Sequence, residues 1–478
     1  MWFLPGCNMT TDRPDSLTFI RVGQSYQLTG GGYPGDVLVI PGVHNGLPVT
    51  SVMPRAFMNR QLISVIIPDS ITYIADEAFS NNRLSSLIIP GSVTYIGQKA
   101  FRDNALTLLD IPHGVRTIGN SAFADNLLQE LDIPGSVTFI GQEAFRNNRL
   151  SSAIIPDSII WIGDALFANN LLTGLEIPPS VTFIGVNAFA DNELESLVIP
   201  SGVTFISRMA FASNLLTELT IPPSVTYIGQ GAFSDNELAS VAIPESITSI
   251  GNAAFANNLL TELEIPPSVT YIGVNAFAGN ELESLEIPSS VTYIGRMAFA
   301  GNLLTELTIP PNVTYIGNGA FTGNLLTGVV IPPSVTSIGQ EAFRRNQLAE
   351  MFIPYGVVSI GVSAFADNKL ESLTIPASVT HIRDGAFRGN SLTGLVIPPG
   401  VEFIGVSAFA NAFASGNLRI DIEIPKSVSA IGGGAFAGNN NINIIIPFPS
   451  VPAADSAWGP SWRGGILYPD NITFRYYP

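Results

Sequence analysis

The residues that could do chemistry in this chain are few and widely separated. Three histidines, His44, His113 and His381, lie far from one another, and the one cysteine, Cys7, sits near the amino terminus. Nucleophilic catalysis needs a hydroxyl or thiol beside a general base that a third group orients. No Ser-His-Asp set of that kind, no cluster of metal ligands and no phosphate loop is visible. Gly432-Gly433-Gly434 runs straight into Ala435-Phe436 and reads as a turn. What the chain has in quantity is carboxylate: 38 acidic against 21 basic residues, a formal charge of -17. Acidity without lysine or arginine clusters argues against nucleic acid or an anionic membrane as partner, because phosphate contacts need cations. The expectation is a non-enzymatic chain with no cofactor and no dedicated metal site.

The elements that carry these groups come from a repeat. Phe57, Phe79, Phe101 and their successors recur every 22 residues as far as Phe409, and Phe436 follows after a five-residue insertion. A fixed period in the range of about 20–29 residues marks a solenoid, in which each coil is buried only by its neighbours. Each Phe follows an Ala except in Leu166-Phe167. Hydrophobic residues make up 46% of the chain, yet they are spread a few per coil and never form the run of about 18–20 that spans a bilayer. No transmembrane segment is therefore expected.

One coil shows the logic. In Asn192 to Pro200, Leu194, Leu197 and Ile199 form the pattern L-x-x-L-x-I, whose last two members alternate inward along a strand. Pro200 has no N–H and ends the strand. A second extended segment, Pro178 to Gly185, turns Val181 and Ile184 inward, and Gly185 is expected to take a turn with positive φ. Ala188-Phe189 is expected to form a short helical or 3₁₀ turn. Asn stands three residues after nearly every Phe, as in Asn82, Asn104, Asn126 and Asn302. An amide offers both donors and acceptors, so this Asn suits a buried ladder on turn backbone; a merely exposed turn residue is the alternative.

The string I-P-x-S-V-T-x-I-G-x-x-A-F-x-x-N-x-L-x-x-L-x-I-P resembles the BspA-like class of leucine-rich repeats over about residues 26–460, with Asn where that class often has Cys. The resemblance implies a repeat solenoid, mainly β with short helical or 3₁₀ turns: a curved leucine-rich repeat array with a parallel sheet on its concave face. Its expected parts are residues 1–15, a frayed terminus or lipobox remnant; residues 16–50, an N-terminal capping coil; residues 51–447, the array; and residues 448–478, a C-terminal cap. It also implies a bacterial cell-surface or secreted protein that binds protein ligands of a host or neighbouring cell. An intracellular scaffold is the alternative. Leu4-Pro5-Gly6-Cys7 resembles a loose lipobox, which makes Cys7 a candidate lipidation site; an incidental cysteine is the competing reading.

Two rows vary against this constant core. At the fourth position after the ladder Asn, Glu218, Ser240, Glu262, Ser284, Glu306, Gly328 and Glu350 alternate acid with a small neutral residue, exposing a second period of 44. Glu130 shares that position, while Asp132, Glu264 and Glu286 occupy the sixth. This acidic row is either a solvated face or a surface that reads a cationic protein patch or loosely held calcium, although no dense Asp-x-Asp loop supports a calcium site. The other row passes through Trp161, Phe183, Phe205, Tyr227, Tyr271, Tyr293 and Tyr315. It is a candidate stacking platform for glycans or partner side chains; ring-on-ring packing that stiffens the wall is the simpler reading.

Overall fold

A computed structural model describes residues 17–32, 35–415, 419–463 and 472–474. The chain forms two compact units, Met1–Leu216 and Thr217–Pro478. Each is a parallel-sheet β-solenoid with almost no helix.

In the first unit, Leu17–Val22 pairs antiparallel with Ser25–Gly31, which lies parallel to Leu47–Val52. From there a parallel ladder steps through Tyr73–Ile74, Tyr95–Ile96, Thr117–Ile118 and Phe139–Ile140. The register keeps equivalent residues opposite each other, Tyr73 on Tyr95 and Ile74 on Ile96. The ladder then stops. It restarts at Trp161–Ile162 and continues through Phe183–Ile184 to Phe205–Ile206. In the second unit the equivalent ladder runs unbroken from Tyr227–Ile228 to Ala430–Ile431. The unit closes with the parallel strands Ile420–Glu423, Ile442–Ile446 and Ile472–Phe474. Helix α1, Val451–Trp458, follows Ile446 and is N-capped by Ser450, and Trp458 Nε1 donates to the Val428 carbonyl.

The L-x-x-L-x-I segments ladder more sparsely. They form short pairs such as Glu130–Asp132 with Ser152–Ile154 and Glu306–Thr308 with Gly328–Val330, and single bridges such as Glu264 to Glu286. The proline that ends each segment allows only three residues to pair.

The core is the repeat itself. In the first unit the Phe rings from Phe57 to Phe211 stack with centroids 5.3–5.8 Å apart, and all are fully buried. The second unit repeats the spine from Phe233 to Phe436 at 5.4–5.7 Å. These are offset stacks, the favourable parallel arrangement for aromatic rings.

Two local expectations need correction. The Ala-Phe segment is a pair of successive turns, not a 3₁₀ helix. Residues two before and two after Phe189 are left-handed, Asn187 with φ 55° and Asp191 with φ 56°. That alternation turns the Phe189 N–H out of its own coil and onto the Ala210 carbonyl of the next, at 2.9 Å. The glycine of the second segment is likewise not at positive φ. It is there because the coils touch: a Cβ on Gly185 would lie 2.7 Å from the Asp164 nitrogen and 2.8 Å from the Gly163 carbonyl carbon.

Candidate interaction surfaces

The repeated Asn is a structural group. Asn258, 3% exposed, donates from Nδ2 to the Phe233 and Phe255 carbonyls at 2.9 and 3.2 Å and accepts the Leu238 N–H at 3.1 Å. One side chain thus satisfies three backbone groups that have no strand partner. A second ladder escaped sequence reasoning. Asp76, Asn120 and Asp164 each accept, through Oδ1, the N–H of the residue 22 positions later, and Asn252, Asn318 and Asp384 do the same in the second unit. Asx residues directly after the glycine, or after Ala75 and Arg383 where these replace it, were its visible signal. The left-handed position before the ladder Asn is likewise held mostly by Asn, Asp or Gly, the residues that tolerate that conformation.

His44 stacks on Phe19 at 4.0 Å and meets Tyr26 edge-on, while His381 Nδ1 lies 2.8 Å from Thr380 Oγ1. Cys7 lies outside the described residues. Among the described residues no group of three or more His, Cys, Asp or Glu could hold a metal ion, and no helix is long and apolar enough to cross a membrane.

The acidic row is solvent-facing. Glu130 and Asp132 are exposed in the first unit, and Glu218, Glu262, Glu264, Glu286, Glu306 and Glu350 are exposed in the second. Glu264 and Glu286 sit on bridged neighbours. At a strand spacing of about 4.8 Å, two such charges repel by about 0.8 kcal/mol in water, a cost that a solvated face tolerates. Among the described residues the arginines in ion pairs meet other carboxylates: Arg55 with Glu77, Arg102 with Asp125, Arg344 with Asp367, and Arg463 with Asp455. The Arg55 guanidinium holds Glu77 below the usual carboxylate range by a hydrogen bond, against the opposing effect of partial burial. Among the described residues, no ion pair joins a cation to a carboxylate of the row.

Within the second unit the row borders a cleft of about 750 Å³ between Glu306 and Glu350, walled by Val330 and Phe352. Gly328 lines this cleft, and a Cβ there would meet nothing within 4 Å.

The aromatic row is half-exposed and largely stacked on itself. Tyr73 and Tyr95 lie 4.5 Å apart, Phe183 and Phe205 6.1 Å, Tyr271 and Tyr293 4.9 Å, and Tyr293 and Tyr315 6.4 Å. Parallel stacking covers ring faces and leaves edges outward. Burial against its neighbours raises the Tyr315 phenol, with the nearby Tyr293 phenol adding to the shift. Trp161 breaks the pattern: it stands edge-on to Phe183 at 5.4 Å and 90°.

Residues 50–173, 160–282, 204–327, 271–393 and 314–443 match the BspA type leucine rich repeat region. The chain belongs to that family. BspA-type and other leucine-rich repeat proteins are generally non-enzymatic scaffolds for protein interaction. No curated protein matches this BspA-type chain. Solved structures do. It is similar to a leucine-rich repeat protein from Bacteroides ovatus, with 20% identity over 98% of this chain and 100% of the other at a TM-score of 0.39. It is also similar to a leucine rich cell surface protein from Faecalibacterium prausnitzii, with 21% identity over 95% and 100% at a TM-score of 0.30. A T. pallidum leucine rich repeat protein shares 26% identity over 38% of this chain and 88% of its own, at a TM-score of 0.35.

Proposed function

We propose that this BspA-type array is a surface-displayed or secreted binding protein whose L-x-x-L-x-I face docks a cationic protein partner of a host or neighbouring cell. One observation carries the reading. The face presents Glu218, Glu262, Glu264, Glu286, Glu306 and Glu350 to solvent, while the paired arginines are engaged by other carboxylates. The cleft beside Gly328 adds an apolar contact, Val330 and Phe352, between two of those charges. A partner segment carrying lysine or arginine next to an apolar side chain matches both. Binding through such a face is distributed, with individually weak contacts adding along the row.

In this reading residues 16–50 cap the first coil and residues 448–478 cap the last, covering sheet edges that would otherwise recruit other chains. A lipid on Cys7 would anchor the array to a membrane. The stacked rings Phe183–Phe205 and Tyr271–Tyr293–Tyr315 stiffen a wall, because they cover one another's faces.

Replacing Glu262, Glu264 and Glu286 together with Gln tests the proposal. Partner capture from a host-cell surface extract should weaken, and the salt dependence of binding should shrink. Unchanged binding with unchanged salt dependence would reduce the row to solvation.

A further inference from the structure

The one break in the aromatic-side ladder of the first unit coincides with the one coil that departs from Ala-Phe. Between Phe139–Ile140 and Trp161–Ile162 the strands do not pair. Among the described residues, neither the Ile160 N–H nor the Gly163 N–H bonds the preceding coil, whereas Thr138 and Gly141 do so one coil earlier at 2.9 and 2.8 Å. One coil later, Thr182 and Gly185 do so at 3.0 and 2.9 Å. The coils are measurably looser here. A Cβ on Gly163 would find its nearest neighbour at 3.5 Å, against 2.3 Å at Gly141 and 2.6 Å at Gly185.

Two substitutions within this coil accompany the break. Leu166, fully buried, brings an isobutyl group to the position that a methyl fills elsewhere, and the turn-to-turn bond from Phe145 N–H to its carbonyl stretches to 3.1 Å from 2.9 Å on either side. Ile160 stands where the next coil has Thr182, whose hydroxyl donates to the Ile160 carbonyl at 3.3 Å, so this coil lacks that tie to its predecessor. The result is a slot of about 390 Å³ lined by Phe139, Ile140, Ile159, Ile160 and Trp161. Phe139 and Trp161 are 51% and 56% exposed, so the slot opens to solvent between two rings.

We infer that this slot binds one aromatic side chain, tyrosine or tryptophan, of an extended segment of a partner protein. Its volume lies in the range of small-ligand sites, about 300–1,000 Å³. A ring inserted here meets the Phe139 ring, whose neighbour in the preceding coil is Thr117, and the Trp161 ring, which stands edge-on to Phe183. The backbone groups released by the broken ladder, the Ile160 and Gly163 N–H and the Thr138 and Ile140 carbonyls, lie along the slot and match the donors and acceptors of a peptide main chain. A sugar fits less well. Asn120 Oδ1 already accepts the Gln142 N–H, and Gln142 Nε2 already donates to Asp164, which leaves few polar side-chain atoms for hydroxyls. The slot lies on a different wall of the coil from the carboxylate row, so it stands or falls independently of that row.

The test follows the Trp161 indole N–H signal of the full-length chain by NMR, assigned as the signal missing from Trp161→Phe. The probes are acetyl-Gly-Thr-Tyr-Thr-Gly-amide, the same peptide with leucine in place of tyrosine, p-cresol and cellobiose. The tyrosine peptide should shift the signal saturably and bind roughly tenfold or more tightly than each of the others. Leu166→Ala, which restores the residue of the other coils and closes the slot, should weaken it by a similar factor. Phe139→Ala, at an exposed position that leaves the core intact, should do the same. Equal binding of the leucine peptide, p-cresol binding as tightly as the tyrosine peptide, a response to cellobiose alone, or no response to any probe would each overturn the inference. So would unchanged peptide binding in both variants.

Discussion

The repeated asparagine joins three buried backbone groups through one side chain. Asn258 holds two carbonyls and one N–H that the sheet leaves unpaired. Burying a polar group without a partner costs about 1–3 kcal/mol. Asn258→Ala should therefore lower unfolding free energy by about 3–5 kcal/mol in chemical denaturation, against a near-neutral effect for an exposed control such as Glu262→Ala. The Glu77 carboxylate supplies a pH-dependent term. Its native pKa is depressed by the hydrogen bond from Arg55, so its contribution is fully present above the ordinary carboxylate range. That contribution is lost as pH falls through the depressed native value. Arg55→Gln should return the Glu77 titration, followed by NMR, toward the ordinary carboxylate value; an unmoved titration would remove the arginine as cause. The ladder Asn was legible because an amide at fixed spacing in an apolar repeat has one economical use. The glycine at 185 was misread because sequence shows only that a side chain is missing. Whether the reason is backbone angle or a neighbour 2.7 Å away depends on how closely the coils stack.

At the scale of elements, the two walls of a coil behave differently. The wall of Tyr73, Tyr95 and their successors is a continuous ladder within each unit, apart from the gap before Trp161, and the proline-terminated wall is a set of short pairs. Hydrogen exchange should mirror this. The Gly163 and Ile160 amides should exchange faster than those of Gly141 and Gly185, and Leu166→Ala should slow them to their neighbours' rates. The same variant should lose less than about 2 kcal/mol of stability, below the usual range of roughly 2–5 for truncating a buried leucine, because the coils close over the space. A full-sized loss with unchanged exchange would show that Leu166 fills its site without propping the coils. Leu166 stood out in the sequence as the one departure from Ala. Its effect did not, since pattern alone cannot tell a side chain that fills a gap from one that opens it. The turns were misjudged for a related reason: Asn, Asp and Gly before the ladder Asn are a left-handed signal that competes with any 3₁₀ reading.

For the whole molecule, period and composition made the architecture legible, while the binding surface was legible only as rows. Exposure of the acidic row followed from strand alternation, but the cleft at Gly328 needed the neighbouring side chains in place. A formal charge of -17 spread over a solenoid also has a bulk consequence. Raising salt from about 0.01 M to 0.15 M shortens the Debye length from about 30 Å to 8 Å and relieves self-repulsion. The thermal midpoint should rise over that interval, and the Glu262, Glu264 and Glu286 to Gln variant should rise less; a midpoint that fell with salt would mean that attractive pairs dominate. The direction of the coil-to-coil bonds bears on synthesis. The Phe57 N–H waits for the Ala78 carbonyl, the Ile74 carbonyl waits for the Gly97 N–H, and the Phe79 carbonyl waits for Asn104. Each coil is thus completed by its successor, and on the ribosome the last coil to emerge is always unfinished. A stalled chain exposes one raw edge, whatever its length, until the next 22 residues arrive to heal it.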